Sequence, residues 1–198
     1  MVKAQGTREA LLRAAAGLFA ERGFRGTSVE EIGAACGVSG PAVYKHFTSK
    51  LDLLARLLVG ISEHLLSGGQ AVVASAGDEP LEALDGLIEA HADFALRDPD
   101  LIRIQGRDLG SLSDLDRRQV RRLQRAYVEL WAEVLCRLEP DLPPAVARLR
   151  AHAVFGLLNS TPYSGAGRAE ARRELVRMAR GALAVPAPVR TRDPGQPG

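Results

Sequence analysis

The chain has 198 residues, of which 46% are hydrophobic and 25% charged, and its formal net charge is +2. These values are typical of a globular protein with a packed core and exclude a predominantly disordered chain. The apolar stretches are interrupted by charged residues and the first six residues lack an apolar signal core, so we expect a cytoplasmic protein without a membrane partner.

The charge is unevenly distributed along the chain. Residues 1–50 contain all three lysines and hold seven basic against four acidic side chains, a net charge of +3, whereas the remainder is close to neutral. A basic end on a neutral body indicates a polyanionic partner at that end, although a solvated surface also explains so small an excess.

Helical periodicity and glycine stops define the first two elements. Apolar residues at helical spacing predict an amphipathic helix over residues 7–22, which ends at Gly23. Ser28 and Glu31 form the ends of a capping box, in which each side chain bonds the backbone of the other residue. The box predicts a second helix that begins near Ser28 and ends at Gly37.

Two further helices are predicted before the middle of the chain. The third covers about residues 40–47, with Pro41 in its first turn, where no N–H partner is needed. The fourth begins at Lys50 and continues to about Leu65. The glycine-rich segment 67–80 is interpreted as a loop or a frayed helix end, and as a candidate domain boundary.

The rest of the chain is also predicted to be helical. Helices are expected at residues 81–96, 100–105, 114–138, 144–159 and 168–184. The tail 186–198 is rich in proline, glycine and arginine and is expected to be disordered. Because no segment shows the alternation of a strand, the predicted fold class is all-α.

Motifs for enzymatic chemistry are not found in the sequence. It has no nucleophile elbow, no phosphate loop and no metal-ligand spacing, so we expect no catalytic residue, no metal and no cofactor. The cysteines Cys36 and Cys136 are interpreted as small buried hydrophobic residues, with redox sensing as the alternative.

Residues 27–50 have the pattern of a helix-turn-helix, and read Thr-Ser-Val-Glu-Glu-Ile-Gly-Ala-Ala-Cys-Gly-Val-Ser-Gly-Pro-Ala-Val-Tyr-Lys-His-Phe-Thr-Ser-Lys. Small residues midway along the first helix, Gly33 and Ala34, allow a second helix to cross closely. Gly37 provides the turn. The expected apolar positions around it are Ile32, Cys36, Val38 and Val43.

This segment resembles the signature of the tetracycline-repressor (TetR) family: Val-Glu-Glu-Ile, a Gly-Val-Ser turn, then Tyr-x-His-Phe-x-Ser-Lys. The resemblance implies an N-terminal three-helix helix-turn-helix DNA-binding domain, residues 1–50, and a larger helical ligand-binding and dimerisation domain, residues 51–185. The sequence departs from the family pattern in two places. Gly33 stands where alanine is usual, and Gly40-Pro41 replaces a commoner Lys-Gly.

The resemblance implies roles for the matching positions. Phosphate contacts are expected from Ser28, Tyr44 and Lys50, with His46 either touching phosphate or packing. Base edges are expected to face Ser39, Gly40, Pro41, Ala42 and Lys45. Among these, Lys45 can donate to guanine O6 and N7.

The resemblance also implies a ligand pocket between the central helices. Its candidate residues are His91, Phe94, Arg103, Arg107, Tyr127, Trp131, His152, Phe155 and Asn159. For each of them, a purely structural role is the alternative. The effector is unidentified, and a lipid or an acyl-coenzyme A is one class considered. The basic run Arg117, Arg118, Arg121, Arg122 and Arg125 is either a solvated face or a phosphate site for such a ligand.

The expected function is sequence-specific regulation of transcription by a homodimer bound to double-stranded operator DNA. A repressor released from its operator by a small-molecule effector is the usual behaviour in the family, and activation remains open. Apolar residues on the last two helices are either the dimer seam or ordinary core: Val146, Leu149, Val154, Leu157, Leu158, Leu175, Met178 and Leu183. A helical protein-interaction module that has lost DNA binding is the other class considered.

Overall fold

The computed structural model describes residues 2–161 and 167–183, and all regular elements in these two ranges are helical. The α-helices are α1 (Val2–Arg22), α2 (Val29–Ala35), α3 (Gly40–Val43), α4 (Lys50–Ala76), α5 (Pro80–Arg97), α6 (Pro99–Asp108), α7 (Asp114–Leu138), α8 (Pro144–Leu158) and α9 (Arg168–Ala182). A single 3-10 turn, Leu109–Ser111, lies between α6 and α7. The predicted all-α class is confirmed, whereas the tail 186–198 lies outside the described residues.

Most of the predicted helices agree with the structure to within two residues at each end. Three helices, α5, α6 and α8, begin with proline at the first helical position, where the missing N–H costs nothing. Helix α6, expected at residues 100–105, begins one residue earlier, at Pro99, and ends three residues later, at Asp108. Helix α1 starts at Val2, five residues earlier than predicted.

The third helix is shorter than predicted. It ends at Val43, because the following amides of Lys45 and His46 bond to carbonyls three residues back, at 3.2 and 2.9 Å, and tighten the chain into a turn. Ser39 is its N-cap by backbone conformation, but its side chain makes no capping hydrogen bond. The predicted extension of this helix to residue 47 was therefore wrong.

The loop or frayed helix end predicted at residues 67–80 was wrong over residues 67–76, whereas the domain boundary expected in this segment stays a prediction. Helix α4 runs unbroken through Gly68 and Gly69 to Ala76. Gly69 is buried, and a Cβ there would lie 2.8 Å from the Tyr127 ring and 2.9 Å from Leu130. The glycine is needed for a close approach between α4 and α7, and not for a turn.

Two apolar clusters form most of the core. One joins α5, α7, α8 and α9 around Trp131. The other contains Leu11 and Phe19 of α1 and Phe47 beside α3, but also Ile104 of α6 and Val120 of α7. The boundary expected at residue 50 is therefore crossed by one continuous core, which attaches the first three helices to the rest of the molecule.

Helix α4 meets the length and composition expected of a membrane-spanning helix, contrary to the expectation that no segment would. Core helices of proteins without membrane contact pass the same test. In this fold Leu53, Leu54 and Leu58 of α4 are fully buried against the other helices.

Candidate functional site

Helices α2 and α3 cross at very short range, and Gly33 makes the crossing possible. A Cβ at this position would lie 2.8 Å from the Val38 carbonyl oxygen and 3.2 Å from Val43 Cγ2. The Val38 amide donates to the Gly33 carbonyl at 2.9 Å, and Gly37 makes the turn with a φ of 68°. Glycine at position 33, unusual for the family pattern, therefore allows a closer crossing than alanine would.

The start of α2 is fixed by the predicted capping box. The Glu31 amide donates to Ser28 Oγ at 3.2 Å, and Glu31 Oε2 accepts from the Ser28 amide at 2.7 Å and from its hydroxyl at 2.8 Å. These bonds, the backbone one first, lower the pKa of the Glu31 carboxyl. The Ser28 hydroxyl both accepts and donates within the box, so the structure gives it a capping role. A phosphate contact from Ser28 would compete with these internal hydrogen bonds.

Helix α3 and the turn that follows it present a polar, aromatic and basic face to solvent. Ser39, Pro41, Tyr44 and Lys45 are exposed, and the Tyr44 side chain is 53% accessible, which is unusual for a residue of this size. Gly40, by contrast, is buried beneath the Glu30 side chain, so its own atoms are covered. Ala42 and His46 are half-buried at the edges of this face, which we call the α3 face.

Lys50 has an internal role that the sequence did not indicate. Its Nζ donates to the carbonyl oxygens of Phe24 at 2.8 Å and Thr27 at 2.7 Å, and lies 4.5 Å from the centre of the Phe24 ring. The first residue of α4 thus holds the loop between α1 and α2. A phosphate contact from Lys50 would use the one N–H donor that remains.

A second candidate site is a cavity of about 240 Å³ lined by residues of five helices, α4 to α8. Six of the nine residues proposed for the ligand pocket line it: His91, Phe94, Tyr127, His152, Phe155 and Asn159. The lining residues that sequence reasoning missed are Ser62, Leu65, Ile102, Gln105, Gln124 and Val128. One signal was present, because Gln124 lies on the same face of α7 as the buried Val120, Tyr127 and Trp131.

His91 is the central polar group of this cavity. It is buried, with Nδ1 3.2 Å from the Tyr127 hydroxyl and Nε2 3.2 Å from Asn159 Oδ1. Burial lowers the pKa of the imidazole from 6.5 to about 4, against a smaller opposing effect of the Asn159 hydrogen bond. Burial likewise raises the pKa of the Tyr127 hydroxyl. Both side chains are therefore neutral at physiological pH.

The three remaining pocket candidates lie outside the cavity lining. Trp131 is fully buried directly behind it, with its ring 5.0 Å from that of Phe155. Arg103 pairs with Asp100 at 3.0 Å. Arg107 reaches from α6 to the end of α1.

The Arg107 guanidinium joins the cavity-lining helix α6 to helix α1. Its Nη1 donates to the carbonyl of Ala20 at 3.3 Å and its Nη2 to that of Phe19, while Asp108 holds the same guanidinium at 3.0 Å. Cations near a helix C-terminus are favoured by the partial negative charge of its last carbonyls. The contact connects the cavity region to the helix-turn-helix.

Comparison with known proteins assigns the chain to a family. Residues 11–57 match the family model described as bacterial regulatory proteins, tetR family, and residues 77–182 match the model described as tetracyclin repressor-like, C-terminal domain. The second match alone covers more than half of the chain. The chain belongs to the TetR family. The predicted recognition is thereby confirmed, and the helix-turn-helix and the larger helical domain are those of a TetR-family protein.

Individual TetR-family relatives are similar over part of the chain. The transcriptional repressor KstR2 of Mycobacterium tuberculosis is 40% identical over 80 residues, which cover 40% of each protein. The transcriptional activator FasR of Mycolicibacterium smegmatis is 35% identical over 88 residues, covering 44% of this chain and 40% of FasR. The match thus spans less than half the length of these curated relatives. The solved structure of M. tuberculosis KstR2, a ketosteroid transcriptional regulator, is 25% identical with a TM-score of 0.76, covering 89% of this chain and 93% of that one.

Proposed function

We propose that this TetR-family chain is a sequence-specific, DNA-binding transcriptional regulator, and that residues 1–50 bind DNA while residues 51–185 bind an effector and dimerise. The observation that carries the proposal is the α3 face, where Tyr44 and Lys45 are held out into solvent by a closely packed helix-turn-helix. A major groove admits a helix of this kind, and its N-terminal residues then contact base edges.

The exposed side chains suit different parts of the DNA. The Lys45 ammonium is a donor that matches guanine O6 and N7, and Ser39, Pro41 and Ala42 lie on the same short element. The Tyr44 hydroxyl suits a phosphate oxygen. Ser28 and Lys50, each committed to internal hydrogen bonds, are assigned a smaller share of the phosphate contacts.

A homodimer is part of the proposal, because a palindromic operator requires two helix-turn-helix units about 34–36 Å apart. Val146, Leu149, Ala153 and Gly156 share one exposed face of α8, where Leu149 is 67% accessible. Met178 of α9 is 39% accessible. The residues of the candidate seam that belong instead to the protein core are Val154, Leu158, Leu175 and Leu183.

The dimer is tested by introducing a charge on this face. Leu149→Arg is expected to give a monomer in light scattering coupled to gel filtration, since a buried unpaired charge opposes association. The matched control is Leu115→Arg near the start of α7, where the leucine is 69% accessible and does not belong to the exposed face of α8. An unchanged mass for Leu149→Arg would contradict this interface.

Repression relieved by an effector in the cavity is the proposed mode of regulation. An effector that binds better to one arrangement of α4 and α6 would shift the population toward that arrangement. Arg107 offers a direct connection, since it joins α6 to the end of α1. Among the relatives KstR2 is named a repressor and FasR an activator, so the sign of regulation has to be measured.

The experiment is fluorescence anisotropy of the purified protein with DNA from upstream of its own gene, against a scrambled duplex at the same salt concentration. We expect at least about a thousandfold preference for the specific duplex. Lys45→Ala should abolish the preference, and Arg118→Ala, an exposed arginine on α7, should leave it intact. Equal, salt-sensitive binding to both duplexes, followed by failure of a random-sequence selection to enrich any site, would refute the proposal.

A further inference from the structure

Three of the rings that line the cavity lie nearly parallel to one another. The rings of His91 and Phe155 are 4.9 Å apart with planes 10° from parallel, those of Tyr127 and Phe155 are 5.3 Å apart at 8°, and those of His91 and Tyr127 are 5.8 Å apart at 14°. Such an offset array favours one more flat ring at van der Waals distance over a flexible chain.

The hydrogen bonds of His91 define which groups the cavity offers to a ligand. Asn159 Oδ1 can only accept, so His91 Nε2 carries the proton of the neutral imidazole. Nδ1 must then accept from the Tyr127 hydroxyl. This chain of bonds leaves the Asn159 NH₂ group as a donor at the cavity, beside the amides of Gln105 and Gln124, which have no hydrogen-bond partner among the described residues.

The polar groups of the cavity are neutral donors and acceptors: two glutamine amides, one asparagine amide, two hydroxyls and the buried His91 imidazole, with His152 exposed at the edge. The basic run of α7 is elsewhere, because Arg118, Arg121, Arg122 and Arg125 are exposed and do not line the cavity. A carboxylate or phosphate transferred among these buried groups would lose its hydration and gain hydrogen bonds from amides and hydroxyls but no buried cationic partner, which is costly.

The volume of the cavity limits the part of a ligand that it can hold. A cavity of about 150 Å³ holds benzene, so the 240 Å³ observed here correspond to roughly ten non-hydrogen atoms. A whole acyl-coenzyme A is several times larger and carries phosphates, so most of it would have to lie outside the cavity.

We propose that the effector is a compact, uncharged molecule of about ten non-hydrogen atoms that contains a flat ring and an acceptor oxygen. The ring would extend the stack of Phe155, His91 and Tyr127, and the oxygen would accept from Asn159, Gln105 or Gln124. This inference rests on the proposed function only in taking the cavity as the effector site.

The test compares two ligands of the same shape that differ in charge, benzamide and benzoate. Trp131 is the only tryptophan of the chain and adjoins Phe155, so its fluorescence reports occupancy of the cavity, with calorimetry as a second readout. We expect benzamide to bind at least about tenfold more tightly than benzoate. Equal or tighter binding of benzoate, tighter binding of acetyl-coenzyme A, or no binding of benzamide would overturn the proposal.

Substitutions locate the site. At least one of Gln105→Leu, Gln124→Leu and Asn159→Leu should weaken benzamide binding several-fold, and the matched control Gln70→Leu, at an exposed position of α4, should not. Equal benzamide affinity in Gln70→Leu and in all three cavity variants would exclude the cavity as the binding site.

Ligand binding and DNA binding are measured separately on the same preparation. If benzamide is preferred and no operator is found, the ligand class stands and the proposed function fails. If an operator is bound and benzoate is preferred, the proposed function stands and the ligand class fails.

Discussion

Substitution of Lys50 by methionine separates an internal role from a DNA contact. Methionine keeps the length and the apolar stem of lysine but removes the ammonium that bonds the carbonyls of Phe24 and Thr27. Hydrogen bonds from charged groups stabilise by about 1.5–3 kcal/mol each when buried, and these are half-buried, so we expect about 2 kcal/mol from the pair. The contact with the Phe24 ring adds about 0.5 kcal/mol.

The assay is urea unfolding at fixed protein concentration, because association stabilises the folded state. The expected loss is about 2–3 kcal/mol in the free energy of unfolding. In a thermal unfolding experiment the same loss corresponds to a fall in Tm of roughly 5–10 °C for a chain of this size. Lys45→Met is the matched control. The exposed lysine has no hydrogen-bond or ion-pair partner among the described residues, so the stability of this variant should change by less than about 0.5 kcal/mol while specific DNA affinity is lost. Unchanged stability of Lys50→Met together with weaker DNA binding would refute the internal role and support a phosphate contact instead.

Three further substitutions test other parts of the structure. Gly33→Ala should lower the free energy of unfolding by about 1 kcal/mol or more despite the better helix propensity of alanine, because the added Cβ would meet backbone atoms. The control is Gly60→Ala, where the added Cβ meets nothing within 4 Å. It should raise the free energy of unfolding by about 0.5–1 kcal/mol in the same urea assay. The pKa of His91 is about 4 in the folded chain and 6.5 in the unfolded chain, so the unfolded chain takes up the proton first as the pH falls. The free energy of unfolding should therefore be at its full value above about pH 6.5 and decrease towards pH 4 by at most about 3 kcal/mol. That decline should be absent in His91→Phe, and parallel pH profiles of the two proteins would contradict the assignment. Arg107→Met frees the C-terminal carbonyls of α1 and should leave effector affinity unchanged while reducing the effector-induced loss of DNA affinity; an identical response to effector would exclude this connection.

The fold was largely predictable because its signals are local. Proline at the first position of α8 and the capping box of Ser28 and Glu31 act through backbone atoms a few residues away, so the sequence shows them directly. The failure at Gly69 has the opposite origin. A glycine is required there by Tyr127 and Leu130, which are distant in sequence, so the same residue that locally favours a break is buried inside a helix.

The candidate site was likewise predictable only where its signals are local in the sequence. The family resemblance and the residue types indicated His91, Tyr127 and Phe155 as pocket candidates, but they could not show that Arg107 spans to α1 or that Lys50 turns inward to backbone carbonyls. Charged side chains on long flexible stems can reach several partners from one position, and the choice depends on which carbonyls the tertiary fold leaves unpaired. Both arginine and lysine here complete helix ends or loops that only the assembled structure brings near.

Because α4 is unbroken, a tilt of this helix would displace its two ends by different distances. At 1.5 Å per residue, the close contact at Gly69 lies about 28 Å from Lys50, and Ser62 of the cavity wall lies only about 10 Å from that contact. If the helix tilts as a rigid rod about Gly69, a shift of about 1 Å at Ser62 becomes about 2.7 Å at Lys50. A shift of α4 by less than an atomic radius at Ser62 would thereby displace the attached helix-turn-helix by most of a base-pair step.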